Sequence, residues 1–190
     1  MTVVTEAQNL DLTSILRPGD SIVIGQACGE PTTLLEGLVT QGRDIGGLSA
    51  FVATSFSGTL TPESAASVSL SSMGAIGTLR SMSKANALDV IPCHVSQVAP
   101  MITAGHLRCD VAFVQVSPSD ANGDHSFGLI SDYVRAAVDK ARVVVAEVND
   151  QVPYTLGELL PASKIDHAVH VSRPPVQVSP ATISETDRAI

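Results

Sequence analysis

The chain has 190 residues, 44% of them hydrophobic, and a formal net charge of -8 from 19 acidic and 11 basic side chains. This length suffices for one hydrophobic core of ordinary size. The acidic balance argues against a general nucleic-acid binder, which needs a basic face to displace counterions, but a small anionic ligand needs only a local electropositive site. With two Tyr, four Phe and no Trp, an aromatic stacking surface is also disfavoured.

The cysteines and the N-terminal sequence argue against several further classes of protein. The three cysteines, Cys28, Cys93 and Cys109, are an odd number without a CxxC pair, which indicates neither a disulfide framework nor a zinc ribbon. The first residues show no basic or apolar signal-peptide region, and no stretch approaches about 18 apolar residues. We therefore expect a soluble cytoplasmic protein without a membrane partner.

Apolar runs alternate with helical periodicity along the chain. The pattern predicts, in order, a strand at 21–25, a helix at 31–40, strands at 48–54 and 67–72, a helix at 79–88, a strand at 89–93, a helix at 96–104 weakened by Pro100, strands at 110–117 and 125–130, a helix at 132–141, and strands at 142–149 and 165–171. Near-continuous apolar strands separated by helices predict an α/β fold, with a mainly parallel sheet sandwiched by helices. The end of the chain is rich in Pro, Ser and Thr, so residues 1–175 are the predicted domain and 176–190 a linker toward a missing partner or second half.

The loop GQACGEP, Gly25–Pro31, joins the first predicted strand to the first helix. It matches neither the dinucleotide fingerprint GxGxxG nor the phosphate loop GxxxxGK[ST]. The free N–H groups and the dipole of a helix start still favour an anion. Glu30 could instead cap this helix and would then repel an anion. Spacing alone therefore leaves both a structural turn and a ligand loop open.

A second motif, SPSDANGDHSFG, places Asp120, Asp124 and His125 close together in the sequence. These residue types can bind a metal, but the spacing matches neither an EF-hand nor an HExxH motif. A tight turn in which Asp120 and Asn122 bond their own backbone is the favoured interpretation. We expect no metal site.

Glu147 and Asn149 stand at the end of the strand at 142–149, where open α/β sheets place ligands. Glu147 is either a general base or nucleophile, or a carboxylate that ties down loop amides, and the second interpretation is favoured. No GxSxG motif supplies a nucleophilic serine. A pair formed by Cys28 with His94 or His125 is less favoured than a small buried cysteine.

Four stretches, in this order, resemble the N-terminal half of the acetyl-CoA hydrolase/transferase family, which includes the 4-hydroxybutyrate, acetate and succinate CoA-transferases. They are GQACGEP; IPCHVSQVAPMI; DVAFVQVSPSDANGDHSFGLISDYVRAAVDKA; and VVVAEVNDQVPYTLG, followed by IDHAVHVSRPP. The resemblance runs from about Pro18 to Pro175, and its most specific part lies between Asp110 and Gly157.

The resemblance implies the CoA-transferase α/β/α sandwich, with two similar halves around one active site. Such enzymes exchange coenzyme A, a substrate rather than a bound cofactor, between an acyl thioester and a small carboxylate, or let water take the acyl group. A glutamate attacks the thioester to give an acyl-glutamyl anhydride and then a glutamyl-CoA thioester. Glycine amides would stabilise the oxyanion.

In the family, the nucleophilic glutamate and the main CoA-binding loops lie in the C-terminal half. The resemblance therefore assigns no catalytic residue here, since none of Glu30, Glu36, Glu147 and Glu158 has the family's nucleophile context. It implies a chain that is inactive alone and needs a C-terminal half or catalytic subunit, and a homo-oligomer such as a dimer is expected.

The resemblance also implies that the first glycine loop forms one wall of the acyl or carboxylate pocket. The substrate-binding residues would be Gly25, Gln26, Ala27, Cys28, Gly29, Glu30 and Pro31, with Glu147 and Asn149 as a possible strand-end site. Several transferases carry a His where this chain has Gln26, which can donate a hydrogen bond but carries no charge.

Two alternatives from other classes remain open. One is a stand-alone domain related in fold to sugar-phosphate isomerases that binds a phosphorylated small molecule. The other is a non-catalytic partner that scaffolds or regulates a catalytic subunit. The Pro-rich end and the lack of a glutamate in the family's nucleophile context favour two interpretations over the isomerase-like domain. These are the N-terminal half of a CoA-transferase and the non-catalytic scaffold. An exposed apolar surface is also predicted, because this half would pack on another.

Overall fold

The computed structural model describes residues 2–178, 180 and 183–189, and these form an eight-stranded, all-parallel sheet with a separate antiparallel strand pair. The sheet order is β1-β10-β8-β6-β2-β3-β4-β5, and β7 pairs with β9. The strands are β1 Val3–Glu6, β2 Ser21–Ile24, β3 Ser49–Phe51, β4 Ser69–Ser72, β5 Asp89–Val90, β6 Val111–Val116, β7 Asp124–Ser126, β8 Val143–Asn149, β9 Leu159–Pro161 and β10 His167–Val171. The α-helices are α1 Thr32–Ile45, α2 Leu79–Lys84, α3 Val95–Ala104, α4 Val134–Lys140 and α5 Glu185–Ala189.

Helices cover both faces of the sheet, as the sequence predicts for an α/β fold. On one face, α1 and α2 pack through Leu34, Leu38 and Met82. On the other, α3 and α4 pack through residues such as Ile102 and Val138. All six residues of β6 are buried, which explains why its sequence is nearly continuously apolar.

The predicted elements are present, with different bounds. Helix α1 runs five residues beyond its predicted end at residue 40 and stops before Gly46, whose φ is +84°. Within this added stretch Gly42 packs closely against a neighbouring segment, since a Cβ there would lie 2.8 Å from Ser67 O. Helix α3 runs through Pro100 rather than breaking at it.

Several short elements carry too little sequence pattern to be predicted. Strand β1, at the sheet edge, is largely exposed and lacks a clear apolar alternation. Strand β9 and helix α5 are only three and five residues long. Of the segment predicted as a linker, residues 179, 181, 182 and 190 lie outside the described residues.

The strand order reverses its direction between β2 and β6. From β2 the chain continues outward through β3, β4 and β5, whereas from β6 it continues in the opposite direction through β8 and β10. The connections after β2 and β6 therefore leave the sheet toward opposite sides. In open parallel sheets, the crevice at the carboxyl ends of two such strands is where ligands bind.

Candidate functional site

The loop Gly25–Pro31 follows β2 and therefore lies at this point of reversal. Gly25 N–H donates to Phe113 O at 2.9 Å, which continues the pairing of β2 with β6. A short 3-10 turn over Ala27–Gly29 then leads to α1. Ala27 and Cys28 are partly exposed, while the other five residues of the loop are buried. The tip of the loop is therefore the part that a ligand can reach.

The two glycines of this loop are required by close packing. A Cβ at Gly25 would lie 2.6 Å from Gly29 O, and one at Gly29 would lie 3.1 Å from Ile130 Cβ. Ala27 adopts a left-handed conformation with φ of 52°. The loop is therefore folded tightly on itself and against the connection that follows β6.

A buried polar ladder supports the loop from behind. Gln115 Nε2 donates to Cys28 O at 3.1 Å, and Asn149 Nδ2 donates to Gln115 Oε1 at 3.1 Å. Asn149 Nδ2 also donates to Arg173 O at 2.9 Å, and Asn149 Oδ1 accepts from Arg173 N–H at 3.3 Å. The ladder links the loop to the strand ends of β6 and β8 and to the chain segment after β10.

Glu147, on β8, caps the N-terminus of α1. Its Oε2 accepts hydrogen bonds from Thr33 N–H at 2.7 Å and from Leu34 N–H at 3.3 Å. Pro31, at the N-cap position, has no side-chain acceptor to do this. The carboxylate is fully buried, and its Oε1 has no hydrogen-bond partner among the described residues. Burial raises the pKa of Glu147 to about 7, against the effect of the two amides.

Glu30 is the second fully buried carboxylate at this edge of the sheet. Its two oxygens accept from Phe56 N–H at 2.6 Å, Ser57 Oγ at 2.7 Å, Ser55 Oγ at 2.9 Å and Ser57 N–H at 3.2 Å. Burial raises the pKa of Glu30, while these donors lower it. Glu30 therefore does not cap α1, as the sequence allowed; it ties the glycine loop to the loop after β3.

Gln26 also faces the protein. Its side chain is 9% exposed, and its Nε2 donates to Asp132 Oδ2. Asp132 ends the connection that follows β6, and its Oδ1 is buried with no partner among the described residues. Next to it, Tyr133 donates its hydroxyl to Ile24 O at 2.7 Å and accepts from Ala53 N–H at 3.2 Å. The loops after β2 and β6 are thus joined at Gln26.

The remaining polar motifs have local structural roles. Asp120 Oδ1 accepts from Asn122 N–H at 2.8 Å and from Asp124 N–H at 2.9 Å, which makes the tight turn favoured by the sequence. His94 caps α3, and His125 Nδ1 lies 2.8 Å from Ser117 O. Among the described residues, neither histidine hydrogen-bonds to Cys28, and no group of three or more His, Cys, Asp or Glu is placed to hold a metal ion.

A cleft of about 1110 Å³ runs along β1 and β10 beside the site. Its wall includes His125, His170, Glu36 and Arg173. Arg173 forms a two-pronged ion pair with Glu36, with Nη2–Oε1 at 3.1 Å and Nη1–Oε2 at 3.2 Å, and also reaches Thr33 Oγ1. Within the described part of the chain, no helix is long and apolar enough to cross a membrane.

The structure thus brings the predicted loop and the predicted strand-end residues Glu147 and Asn149 together at one edge of the sheet. Sequence reasoning missed Gln115, Asp132 and Arg173, which connect them. Gln115 carries the clearest signal, since it is a polar residue inside an otherwise apolar strand. Asp132 stands at the start of the helix predicted at 132–141, although α4 begins only at Val134, and Arg173 follows β10; nothing in the periodicity marks either as a site residue.

Comparison with known proteins gives consistent similarities. The family model described as "Acetyl-CoA hydrolase/transferase N-terminal domain" matches residues 5–180. The 4-hydroxybutyrate coenzyme A transferase of Clostridium kluyveri is 35% identical over 115 residues, which is 60% of this chain and 27% of that protein.

Solved structures agree with this match. A 4-hydroxybutyrate CoA-transferase from Porphyromonas gingivalis superposes with a TM-score of 0.73 and 28% identity, covering 95% of this chain and 42% of the other. RipA from Yersinia pestis superposes with a TM-score of 0.86 and 21% identity, covering 96% and 45% respectively, which supports the fold alone. This chain therefore spans about a quarter to less than half of the length of these relatives.

Proposed function

Because the chain belongs to the acetyl-CoA hydrolase/transferase family, as its N-terminal domain, we propose that it is the N-terminal half of an acyl-CoA:carboxylate CoA-transferase or acetyl-CoA hydrolase. In this proposal Gly25–Pro31 forms one wall of the pocket for the acyl group or carboxylate. A C-terminal half or catalytic subunit supplies the nucleophilic glutamate. The chain alone is inactive.

The observation that carries the proposal is the position of the loop at the reversal point between β2 and β6. Its tip, Ala27 and Cys28, is partly exposed, and every polar anchor lies behind it. A wall that is rigid from behind and open at its tip suits a substrate group that must be held still for attack. The tight backbone also lets a small acyl group approach closely.

The two buried glutamates support an external nucleophile. Glu30 and Glu147 are both fully buried, and both use carboxylate oxygens to bind backbone or hydroxyl donors. A nucleophile must reach the thioester carbonyl, and neither oxygen pair can do so from these positions. Glu36 is exposed but engaged with Arg173. Glu158 is exposed in the loop after β8 but lacks the sequence context of the family's nucleophile. We therefore assign the anhydride chemistry to a residue outside this chain.

The phosphorylated-metabolite alternative is disfavoured by Glu147. A phosphate at a helix start binds the free N–H groups of the first turn. In this structure, a carboxylate of the protein itself already accepts from Thr33 and Leu34 N–H. A phosphate placed there would meet a buried acidic group instead of free donors.

The proposed second half needs a surface on which to pack. At the carboxyl edge of the sheet, the loops after β7 and β8 expose Leu129, Tyr154 and Leu156, and Leu156 is fully exposed. Thr155 Oγ1 donates to Gly128 O at 2.6 Å and so joins the two loops. We propose residues 1–175 as the domain, residues 176–190 as its linker, and these apolar tips as part of the covered surface.

Reconstitution with a matching C-terminal half from a family member tests the proposal. Acyl-CoA turnover is followed with and without added acetate, for this chain alone and for the mixture. Activity only in the mixture is the expected result, and its dependence on acetate separates a transferase from a hydrolase. Activity of the chain alone would contradict the assignment of the nucleophile. An inactive mixture in which the two halves bind each other tightly would favour the scaffold alternative.

A further inference from the structure

We propose that Asp132 is a positioning residue that fixes the orientation of the Gln26 carboxamide in the substrate-facing loop. The inference rests on the proposed function for its kinetic consequence. Its structural basis is the contact between the two side chains, which joins the connections leaving β2 and β6.

The chemistry of the pair determines how Gln26 is turned. In the structure Gln26 Nε2 donates to Asp132 Oδ2, so the nitrogen end of the carboxamide, and not its Oε1, faces the carboxyl group. The carboxamide oxygen is then directed away from Asp132. Without a carboxylate at this position, the two ends of the amide would be nearly equivalent in shape, and either orientation would be available.

The surroundings keep Asp132 in place. Tyr133, the next residue, is buried and bridges the ends of β2 and β3 through Ile24 O and Ala53 N–H. On the other side, Ile130 packs against Gly29, at the far end of the same loop. The backbone that carries Asp132 is therefore held on one side by the end of β2 and the segment after β3, and on the other by the loop at Gly29.

Asp132 is poorly explained as a stabilising residue. Its Oδ1 is buried and has no partner among the described residues. A buried carboxylate oxygen without a donor is costly, so stability alone would favour a neutral side chain there. A carboxylate that accepts a hydrogen bond from the NH₂ group of an amide does, however, fix the orientation of that amide.

The structural claim is tested on this chain alone by following the side-chain NH₂ signals of Gln26 in the ¹⁵N–¹H NMR spectrum, identified by their loss in Gln26→Met. We expect a charge-assisted hydrogen bond to shift one proton downfield. Asp132→Asn should move it back, whereas Asp139→Asn, on the exposed side of α4, should leave it unchanged. A Gln26 signal that is insensitive to Asp132→Asn would overturn the contact, whether or not the proposed activity exists.

The functional claim is tested in the protein completed by its C-terminal half, with a double-mutant cycle of Asp132→Asn and Gln26→Met. Asp132→Asn should lower kcat/KM by about 10- to 100-fold, as small misplacements at reacting centres do. In the Gln26→Met background it should cause no further loss. The positioning role would be overturned by an equal loss in both backgrounds or by no loss in either. It would also be overturned if the Asp132→Asn chain were unfolded while the Gln26→Met chain was folded. An inactive wild-type mixture would instead count against the proposed function and leave the spectroscopic result standing.

Discussion

Glu147 Oε2 accepts a hydrogen bond from Thr33 N–H at 2.7 Å, so a carboxylate on β8 closes the first turn of α1. Glu147 is fully buried, and this burial raises its pKa to about 7. The start of the helix that follows the glycine loop is therefore held by a group that titrates near neutral pH. This gives the stability of the protein a pH-dependent contribution from Glu147, in addition to that of Glu30, whose pKa is also raised by burial.

Glu147→Gln should flatten that pH dependence. The folded-state pKa is raised above the ordinary value of 4.5, so protonation of Glu147 favours the folded state. Its contribution to stability is fully present below about pH 4.5 and is lost as the pH rises to about 7. At about 1.4 kcal/mol per unit, this loss in the free energy of unfolding is on the order of 2–3 kcal/mol between pH 5 and 8. Urea unfolding of both proteins at the two pH values measures it. Parallel pH curves for wild type and variant would rule out the assignment to Glu147.

Glu30→Ala should destabilise the protein strongly. It leaves the buried hydroxyl of Ser55 and the partly buried donors on Phe56 and Ser57 without their acceptor, and unpaired buried groups cost about 1–3 kcal/mol each. We expect a loss of at least about 3 kcal/mol in chemical denaturation. The matched control is Glu36→Ala, which removes an exposed ion pair with Arg173 and should cost less than about 1 kcal/mol. Similar losses for the two variants would show that the Glu30 contacts carry little energy.

Gly25→Ala should disturb the loop because the added Cβ would lie 2.6 Å from Gly29 O. Relieving this overlap needs a backbone shift, with a cost of about 1–3 kcal/mol. In the completed protein, acyl-CoA turnover should fall as well. Gly74→Ala is the control, since its Cβ would meet nothing closer than 3.7 Å. If melting temperature and turnover are the same for both variants, the loop is not as tightly constrained as described.

Gln26→Ala tests whether the loop faces the acceptor. In the completed protein, we expect it to raise the KM for the carboxylate or lower its turnover, because the buried Gln26 side chain joins the loop to Asp132 and its removal would let the exposed tip at Ala27 and Cys28 shift. Steady-state kinetics with several carboxylates measure the effect, with Asp139→Asn as a surface control. Unchanged kinetics for every substrate would remove Gln26 from the site.

The fold class could be predicted because buried parallel strands carry a strong signal. Strand β6 is buried at all six positions, and its apolar sequence alone marks it as central. The last turn of α1 could not be predicted, because the glycine in it disfavours a helix and its close contact with Ser67, 25 residues away in the chain, is visible only in the fold. Strand β1 was missed since its pairing with β10 joins the two ends of the sequence.

The candidate site was predictable in position but not in its connections. The sequence places Gly25–Pro31 and Glu147 at strand ends, and the structure brings them to the same edge. That Glu147 caps α1 and Glu30 binds the loop after β3 follows only from the three-dimensional arrangement, because each contact joins residues far apart in sequence. The interpretation of Glu147 as a carboxylate that ties down amides agrees with its contacts with Thr33 and Leu34.

The most direct test of the central claim is to locate the covalent intermediate. The mixture of this chain with a matching C-terminal half is incubated with acyl-CoA, the glutamyl-CoA thioester is trapped by reduction with borohydride, and both polypeptides are mapped by mass spectrometry. We expect a modified glutamate on the C-terminal half and none on this chain. A modified glutamate on this chain, whether Glu30, Glu36, Glu147 or Glu158, would contradict this expectation and would place the nucleophile here.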